Sequence, residues 1–295
     1  MTLMQEYKAS LKMAEAEELL DLIFYRPLAF IIVKIISRLP ITPNQMTYAA
    51  LVAGLLSAMQ FAQGTAKGFL WGAIWYGVAN VLDCGDGMLA RLQRSGTPLG
   101  RLVDGVVDWV SSIAIFYGLG VGMSAFFGSP LYWLLAIGAG VLSGYHAMVF
   151  DKRQQEYITA VRNEENFFQR EYAKIQHQLH SSRSPFRRLV LAVYSWYLKV
   201  QEETENTKHT PTVCSGETYR THHRHIMRWW TWLGPTTNRS LLIIAGILSH
   251  PDWFCWIVIF PLNVYLVGMM VWQSRAQQRL DRAVRDSSRS APVTA

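Results

Sequence analysis

The sequence predicts an all-α, polytopic integral membrane protein with about six transmembrane helices preceded by an amphipathic interfacial helix. Three observations support this fold class: 51% of the 295 residues are hydrophobic, only 17% are charged, and the apolar residues form long runs separated by basic stretches. Runs of about 20 apolar residues have the length of a helix that crosses a bilayer. The formal net charge of +7 does not indicate nucleic-acid binding, because the Lys and Arg residues form no continuous patch with interleaved aromatic residues.

The N-terminal part, residues 1–42, is predicted to lie at the membrane surface. It opens with a stretch that mixes acidic and basic residues, as an amphipathic helix does. The apolar segment RPLAFIIVKIISRLP that follows is short for a span, and Lys34 and Arg38 would lie on one face of an interfacial helix. Thr42 is predicted to cap the next helix, with Pro43 at its first position.

Six spans are predicted from the apolar runs, most of them of roughly 18 to 22 residues. They fall at about 43–62, 68–90, 100–122, 130–150, 237–250 and 253–273. The fifth is the least regular, because Pro251 and Asp252 interrupt its apolar run. The predicted organisation therefore has five segments: interfacial helices at 1–42, spans one to four at 43–150, a polar insert at 151–235 with a Ser-rich break (HSSRSP), spans five and six at 236–273, and a basic tail at 274–295.

The distribution of Lys and Arg predicts the orientation in a cytoplasmic membrane. These residues concentrate in the N-terminal part, in the turn after the second span, in the insert and in the tail, whereas the opposite loops hold only Lys67. By the positive-inside rule, both termini and the Asp-rich turn face the cytoplasm. The glycine-rich third and fourth spans are compatible with a homodimer.

The segment DCGDGMLARLQRSGTPLGRLVDGVVD, residues 83–108, places four carboxylates on two predicted helices. Asp83 and Asp86 are three residues apart, and Asp104 and Asp108 are four apart, so each pair projects from one helix face. If the two helices pack antiparallel across the turn, all four carboxylates converge. Converging carboxylates at membrane depth need positive charge, which predicts a site for Mg²⁺ or Mn²⁺, holding one ion or a pair.

Small residues and one arginine accompany these carboxylates. Five small side chains leave room for a bulky anionic ligand: Gly85, Gly87, Ala90, Gly100 and Gly105. Arg91 offers a planar fork of donors suited to phosphate oxygens. Together these features predict a metal-assisted site for a diphosphate substrate that opens to the cytoplasm.

The same segment resembles the CDP-alcohol phosphotransferase family. It matches every fixed position of the family signature D-x2-D-G-x2-A-R-x8-G-x3-D-x3-D, and the six-span layout and the TPNQMT entry to the first span are also similar. The resemblance covers roughly residues 25–150 well and the last two spans in layout only, and the long insert departs from the compact members. It implies phospholipid biosynthesis by transfer of a substituted phosphate from a CDP-linked donor to an alcohol, with release of CMP.

The resemblance also implies roles for individual residues. Asp83, Asp86 and Asp104 would bind two divalent ions. Asp108 would bind one of these ions and act as the general base toward the acceptor hydroxyl. Seven residues would shape the CDP pocket: Gly87, Ala90, Arg91 and Gly100, together with Thr42, Pro43 and Asn44 where the first span approaches the nucleotide.

Three further cations are predicted near the cytoplasmic ends of the fourth and fifth spans. They are Lys152, Arg153 and Arg239. Their position suits binding of a phosphate on the acceptor, and it suits anchoring to lipid headgroups equally well.

Histidines occur in two places that need separate interpretations. His146 lies within the fourth predicted span and is expected to make a hydrogen bond between helices. The run THHRH at 221–225, with Cys214 upstream, matches no familiar zinc spacing. It is therefore interpreted as a solvated basic loop near headgroups.

Several functions stay open within and beyond the family. CDP-diacylglycerol with a small polar alcohol is favoured over CDP-choline or CDP-ethanolamine with diacylglycerol, because enzymes of the latter kind have more spans; glycerol phosphate, inositol, inositol phosphate and serine are all candidate acceptors. A membrane prenyltransferase using an isoprenoid diphosphate would be expected to carry a second Asp-rich motif, and the sequence has none. A non-catalytic anchor is disfavoured by the presence of all four carboxylates.

Overall fold

The structure is a computed structural model, and it describes residues 3–290 except 12, 38, 97, 165–166, 182–187, 189–190, 193, 197 and 200–214. Within these described residues, every regular element is a helix and no strand is present. The predicted all-α class is confirmed. Arg38, Cys214 and most of the HSSRSP break lie outside the described residues.

The N-terminal part forms two helices. Helix α1 is Leu3–Ser10, and helix α2, Arg26–Ile36, directly follows a π-helical turn at Asp21–Tyr25. One face of α2 buries Phe30 and Val33. The opposite face exposes large apolar side chains, namely Leu28, Ile31 and Ile35. Such an exposed apolar face suits a helix that lies against a membrane surface.

Nine helices follow along the described chain. In order they are α3 (Pro43–Phe61), α4 (Ala66–Leu92), α5 (Pro98–Phe127), α6 (Leu131–Arg162), α7 (Phe167–Ser181), α8 (Gly216–Trp230), α9 (Pro235–Ile247), α10 (Pro251–Ile259) and α11 (Pro261–Ser290). The last predicted span, at 253–273, is divided between α10 and α11. Pro261 has no backbone N–H, so the helix kinks where α10 passes into α11.

Among the residues that the structure describes, three stretches are long and apolar enough to cross a membrane: Gly100–Phe127, Leu131–Arg162 and Pro251–Val284. Helices α3 and α4 fall outside this set but also expose large apolar side chains, including Val52 and Ile74. Helix α9 has 13 residues, and at about 1.5 Å per residue it is shorter than a bilayer core. The chain is an all-α membrane protein, and the number of six spans stays a prediction.

The chain divides into two compact units. The first comprises Met1–Phe150 and Thr231–Leu266, and the second comprises Asp151–Trp230 and Val267–Ala295. All four aspartates of the Asp-rich segment belong to the first unit. The five segment boundaries predicted from the sequence stay predictions.

Helix α3 is the centre of the first unit. It packs along both α4 and α5, whereas α4 and α5 approach each other at few points. The core around it buries aromatic side chains such as Phe61 of α3, Phe69 of α4 and Phe254 of α10. At Gly105 of α5 an added Cβ would meet no atom within 4 Å. Helix α3 therefore holds both aspartate-bearing helices, which make few direct contacts with each other.

Two glycines allow the close contact between α3 and α5. A Cβ added at Gly118 would lie 2.2 Å from the carbonyl oxygen of Ala58, and one added at Gly122 would lie 1.9 Å from that of Phe61. Both oxygens belong to the backbone of α3, so no side-chain rotation relieves the overlap. Small residues four positions apart commonly allow membrane helices to approach closely in this way.

Gly122→Ala is expected to lower the free energy of unfolding by about 1–3 kcal/mol, because the added methyl group would force α3 and α5 apart. The measurement is the unfolding temperature of the purified protein in detergent. Gly144→Ala on α6 is the matched control, since a Cβ there would meet no atom within 4 Å. Equal unfolding temperatures of the two variants would contradict the close packing of α3 and α5.

The expected hydrogen bond of His146 is present. His146 on α6 is fully buried, and its Nε2 lies 3.2 Å from Oδ1 of Asn263 on α11. The amide nitrogen of Asn263 donates to the carbonyls of Val258 and Ile259, at 3.1 and 2.8 Å. These carbonyls lie next to the kink at Pro261, so the pair ties α6 to the kinked helix.

The THHRH run is helical, so its interpretation as a loop is wrong. His222, His223 and His225 lie on α8. The ring of His223 is buried and stacks on that of Tyr219, with 4.2 Å between the ring centroids. His222 and His225 are exposed on the same helix. The packing of one face of α8 therefore explains why this run forms a helix and not a loop.

Candidate active site

Three of the four predicted metal ligands come together between α4 and α5. Asp83 and Asp86 project from α4 and Asp104 projects from α5, and one carboxylate oxygen of each lies within 4.8 Å of the others. Asp86 is buried, and the other two are partly buried. Oxygen ligands at such separations suit a hard divalent cation, so this set fits Mg²⁺ or Mn²⁺. Asp108 lies one turn further along α5 and is not part of the group of three.

Arg239 of α9 lies between Asp83 and Asp108. Its Nη1 donates to Oδ2 of Asp83 at 2.6 Å and to Oδ1 of Asn80 at 2.8 Å, and its Nη2 donates to Oδ1 of Asp108 at 2.8 Å. Only 13% of the arginine side chain is exposed. This guanidinium supplies the positive charge that two neighbouring carboxylates need at membrane depth. The structure thus joins Arg239, predicted near the cavity, to the aspartates themselves.

Helix α3 contributes a hydroxyl that sequence reasoning did not single out. Oγ1 of Thr47 donates to Oδ2 of Asp86 at 2.5 Å, and both residues are buried. This hydrogen bond fixes the orientation of the Asp86 carboxylate and engages only Oδ2, so that Oδ1 stays available to the cluster. Thr47 lies in the TPNQMT entry to the first span. A polar residue at the start of a predicted span was the sequence signal that could have identified it as part of the site.

The predicted nucleotide residues on α3 lie at its N-terminus. Thr42 caps α3 by a reciprocal pair of hydrogen bonds with the third helical residue, and Pro43 occupies the first helical position, as predicted. The side chains of Thr42 and Asn44 are exposed. Nε2 of Gln93 donates to the carbonyl of Ile41 at 3.4 Å. The start of α3 therefore lies beside the end of α4.

The small residues on α4 have two different roles. Gly87 lies under the guanidinium of Arg91, whose Nη atoms are 3.5 Å from the position of an added Cβ. Nε of Arg91 donates to the carbonyl of Ser10 in the N-terminal part. A Cβ at Gly85 would lie 2.5 Å from Cε of Met46 in the core. The expectation that Gly85 leaves room for a ligand is therefore wrong, because this glycine allows α3 to pack on α4.

A short turn reverses the chain between the two aspartate helices. The N–H of Ser95 donates to the carbonyl of Ala90 at 3.0 Å, and Arg94 adopts a φ of 52°. This left-handed residue ends α4. Ala90 and Gly100 are both partly buried at the ends of α4 and α5 that the turn connects.

Two of the cations proposed for the acceptor, Lys152 and Arg153, belong to the second unit. Their partner there is Glu156: Nζ of Lys152 is 3.9 Å from its carboxylate, and Nη1 of Arg153 donates to it at 2.7 Å. The guanidinium of Arg153 also lies over the ring of Trp230, 5.8 Å from its centroid. These side chains therefore have structural contacts of their own.

A buried glutamate caps the helix that carries Arg239. The carboxylate of Glu18 accepts hydrogen bonds from the backbone N–H of Thr236 at 3.0 Å, from that of Thr237 at 2.9 Å and from the hydroxyl of Thr237 at 3.2 Å. A Cβ at Gly234 would lie 2.1 Å from Cδ of Glu18. Glu18 thus satisfies the first donors of α9 in place of an adjacent N-cap residue.

Neighbours of Glu18 fasten the N-terminal part to α4 and α9. Nη2 of Arg26 lies 2.6 Å from the carboxylate of Glu17, and both side chains are buried. The hydroxyl of Tyr25 and that of Ser240 on α9 are 2.9 Å apart. Sγ of Cys84 on α4 lies 3.6 Å from Oδ1 of Asp21. The N-terminal part thereby contacts both helices that supply Asp83 and Arg239.

Burial dominates the electrostatics of this acidic segment. It raises the pKa of Glu18 to about 8, the charge of Asp21 acts in the same direction, and the hydrogen bonds from Thr236 and Thr237 oppose the shift. Burial also raises the pKa of Asp21, against the opposing effect of the Arg26 guanidinium. Removing a carboxylate from water disfavours its charged form, which explains both directions.

Fold and site together define a helical membrane protein with a carboxylate cluster suited to a divalent cation. The family model for CDP-alcohol phosphatidyltransferase matches residues 40–178. A phosphatidylinositol phosphate synthase of Corynebacterium glutamicum is 31% identical over 85 residues, which are 29% of this chain and 38% of the relative's length. Residues 40–178, which contain the whole segment 83–108, therefore match a family of phosphotransferase enzymes, and the resemblance predicted from that segment is confirmed.

Proposed function

We propose that this chain transfers a phosphatidyl group from CDP-diacylglycerol to the hydroxyl of a small polar alcohol and releases CMP. The observation that carries the proposal is the convergence of Asp83, Asp86 and Asp104 within 4.8 Å, with Asp108 one turn further along α5. The match to the family model supports a CDP-linked donor. The apolar helices support a donor that resides in the membrane.

The carboxylates divide into ion ligands and a base. Asp83, Asp86 and Asp104 would hold two Mg²⁺ or Mn²⁺ ions, with Asp108 contributing to one of them. The ions would neutralise the diphosphate and the departing CMP. Asp108 would accept the proton of the acceptor hydroxyl as its oxygen bonds to the phosphorus that carries diacylglycerol, and the bond from that phosphorus to CMP would break.

Contacts of Asp108 suit the role of a base. Arg239 donates to its Oδ1 at 2.8 Å, which orients the carboxylate and leaves Oδ2 for the acceptor. The Asp108 side chain is 41% exposed, whereas that of Arg239 is 13% exposed. An acceptor that arrives through solvent could therefore reach the carboxylate. In this proposal Arg239 positions Asp108.

Binding of the CDP moiety is proposed at the adjoining ends of α3, α4 and α5. Arg91 would contact phosphate oxygens from its place over Gly87. The other proposed pocket residues are Ala90, Gly100, Thr42, Pro43 and Asn44. Support comes from the exposed, capped start of α3 beside the end of α4.

Inositol phosphate is the first acceptor to test, because the Corynebacterium relative is a phosphatidylinositol phosphate synthase. Glycerol phosphate, inositol and serine follow. Lys152 and Arg153 remain proposed ligands of an acceptor phosphate, and binding it would require a change of partner because both already contact Glu156. Arg239, predicted as a third ligand, is proposed instead to position Asp108, which it already contacts.

The test is CMP release by the purified protein in detergent with CDP-diacylglycerol, Mg²⁺ or Mn²⁺, and each alcohol separately. We expect CMP and one new phospholipid with a single acceptor, and no CMP after chelation of the metal. Omission of the acceptor serves as the control for hydrolysis.

Two other outcomes would replace the proposal. If CMP is released only from CDP-choline or CDP-ethanolamine with diacylglycerol, the donor carries the small polar headgroup and the lipid is the acceptor. Consumption of an isoprenoid diphosphate, with none of the CDP-linked donors used, would favour prenyl transfer.

We further propose that the site and both termini face the cytoplasm and that the chain forms a homodimer. The support is the distribution of Lys and Arg for the first and, for the second, the glycine-rich fourth span, in which Gly144 has no atom within 4 Å of an added Cβ. Labelling of single cysteines in sealed cells, and mass measurement in detergent, test the two points separately.

A further inference from the structure

A groove lined by cationic side chains lies between α8 and α11 in the second unit. Its volume is about 410 Å³, within the range of about 300–1,000 Å³ of small-molecule sites. The side chains that give it polarity are His222 and His225 of α8 and Arg275 and Arg279 of α11, and none of the described lining residues is acidic. We propose that this groove binds the phosphate group of an anionic membrane lipid.

The two arginines carry the argument. Arg275 and Arg279 are four residues apart on α11, so their side chains lie on one face of the helix. Both are exposed, and neither makes an ion pair within the part of the chain that the structure describes. Two guanidinium groups without a carboxylate partner present forks of donors that match phosphate oxygens.

The imidazoles border the groove from α8. Nδ1 of His222 donates to the carbonyl of Thr218 at 2.9 Å, so Nε2 is the nitrogen left for another partner. Nε2 of His225 accepts a hydrogen bond from the indole of Trp229 at 3.4 Å, so its Nδ1 is left in the same way. The groove therefore offers polar groups from both of its helices.

Apolar lining points to a lipid rather than to a free solute. Ile226, Val271 and Trp272 line the same groove. The ring of Trp272 meets that of His225 edge to face, with 6.1 Å between centroids. Along α11 the apolar run ends at Trp272, and the arginines follow immediately. Aromatic and basic residues at the end of an apolar stretch are typical of the level at which headgroups meet acyl chains.

This inference does not depend on the proposed reaction. The groove residues belong to the second unit, and the aspartates belong to the first. The THHRH run, which matches no zinc spacing, acquires a role here as one wall of an anion site.

The experiment measures binding of phosphatidylglycerol to the full chain in detergent by native mass spectrometry, with phosphatidylcholine, which has a phosphate but no net charge, as the comparison. The variant Arg275→Gln/Arg279→Gln is expected to bind phosphatidylglycerol at least about tenfold more weakly, because two charge-assisted contacts are lost. The matched control, Arg224→Gln/Arg282→Gln, removes the same amount of charge from the two helices that border the groove, at positions that do not line it. It is expected to bind like the unaltered chain.

Four results would overturn the proposal. Equal weakening in both double variants would indicate general attraction to positive charge, and equal binding of the two lipids would exclude selectivity for an anionic lipid. Displacement of the lipid by an equal concentration of glycerol phosphate would assign the groove to a soluble phosphate. If the groove variant unfolds, the unaltered chain is tested with brominated phosphatidylglycerol, which should quench the fluorescence of Trp272. The variant Trp272→Phe is the blank. Absence of quenching would contradict lipid binding in the groove.

Discussion

Asp108→Asn is expected to slow CMP release by about 10²- to 10⁴-fold, the usual contribution of a positioned general base, without unfolding the protein. The amide cannot accept the proton of the acceptor hydroxyl. Its Oδ1 can still accept the hydrogen bond that Arg239 now donates to Asp108 at 2.8 Å. Arg239 also keeps its contact with Asp83 at 2.6 Å. The measurement is the rate of CMP release at saturating metal and donor.

Binding of Mn²⁺, followed by electron paramagnetic resonance, separates loss of the base from loss of the metal. We expect the Asp108→Asn variant to keep at least one Mn²⁺, because the three carboxylates within 4.8 Å do not include Asp108. Asp252→Asn is the matched control, since Asp252 lies in the first turn of α10 beside His250. Undiminished turnover in Asp108→Asn would remove this residue from the role of base.

Glu18→Ala is expected to lower the free energy of unfolding by about 3 kcal/mol or more, because it leaves three buried donors of Thr236 and Thr237 without an acceptor. The start of α9 would loosen, so Arg239 would lose its fixed position and turnover would also fall. Glu164→Ala, at an exposed carboxylate near Arg162, is the control. Unfolding in denaturant measures the first effect, and a stability equal to that of the control would contradict the capping role.

The same residue predicts a pH dependence of stability. The pKa of Glu18 is about 8 in the folded chain, against an ordinary value of 4.5. Between these values the folded state holds a proton that the unfolded state has lost, so the contribution of Glu18 to stability decreases as the pH rises from about 4.5 to about 8. Glu18→Gln should remove this contribution, measured as the difference between its unfolding profile and that of the unaltered chain at each pH. Parallel profiles would contradict the raised pKa.

Local spacing in the sequence was enough to predict that Asp83, Asp86 and Asp104 lie close together, but it also predicted Asp108 as a member of the group, which lies one turn further along α5. Asp83 and Asp86, and likewise Asp104 and Asp108, share helix faces that follow from helical periodicity alone. The contacts of Arg239 and Glu18 could not be predicted in this way, because their partners are 131 to 219 residues away. A general signal was nevertheless present for the arginine. A charged residue in a predicted span requires a partner, and the carboxylates required a cation.

Glycines and prolines show where sequence patterns are ambiguous. Gly85 and Gly87 are two residues apart, yet the first faces Met46 in the core and the second faces Arg91. Composition cannot distinguish space for a ligand from space for another helix. Pro261, by contrast, lies inside an apolar run and alone accounts for the division of the last predicted span into two helices. A proline inside an apolar run therefore predicts a break in the helix, even where the run has the length of a single span.

The position of Arg239 in the chain limits how far the active site can be treated as a separable module. The stretch matched by the family model, residues 40–178, contains all four aspartates. Arg239, which neutralises two of them, and Glu18, which fixes the helix of Arg239, both lie outside that stretch. A polypeptide cut to the matched stretch would carry the acidic half of an ion-pair network into the membrane without its basic half. The stretch that the family model matches therefore does not contain all the residues on which the structure of the active site depends.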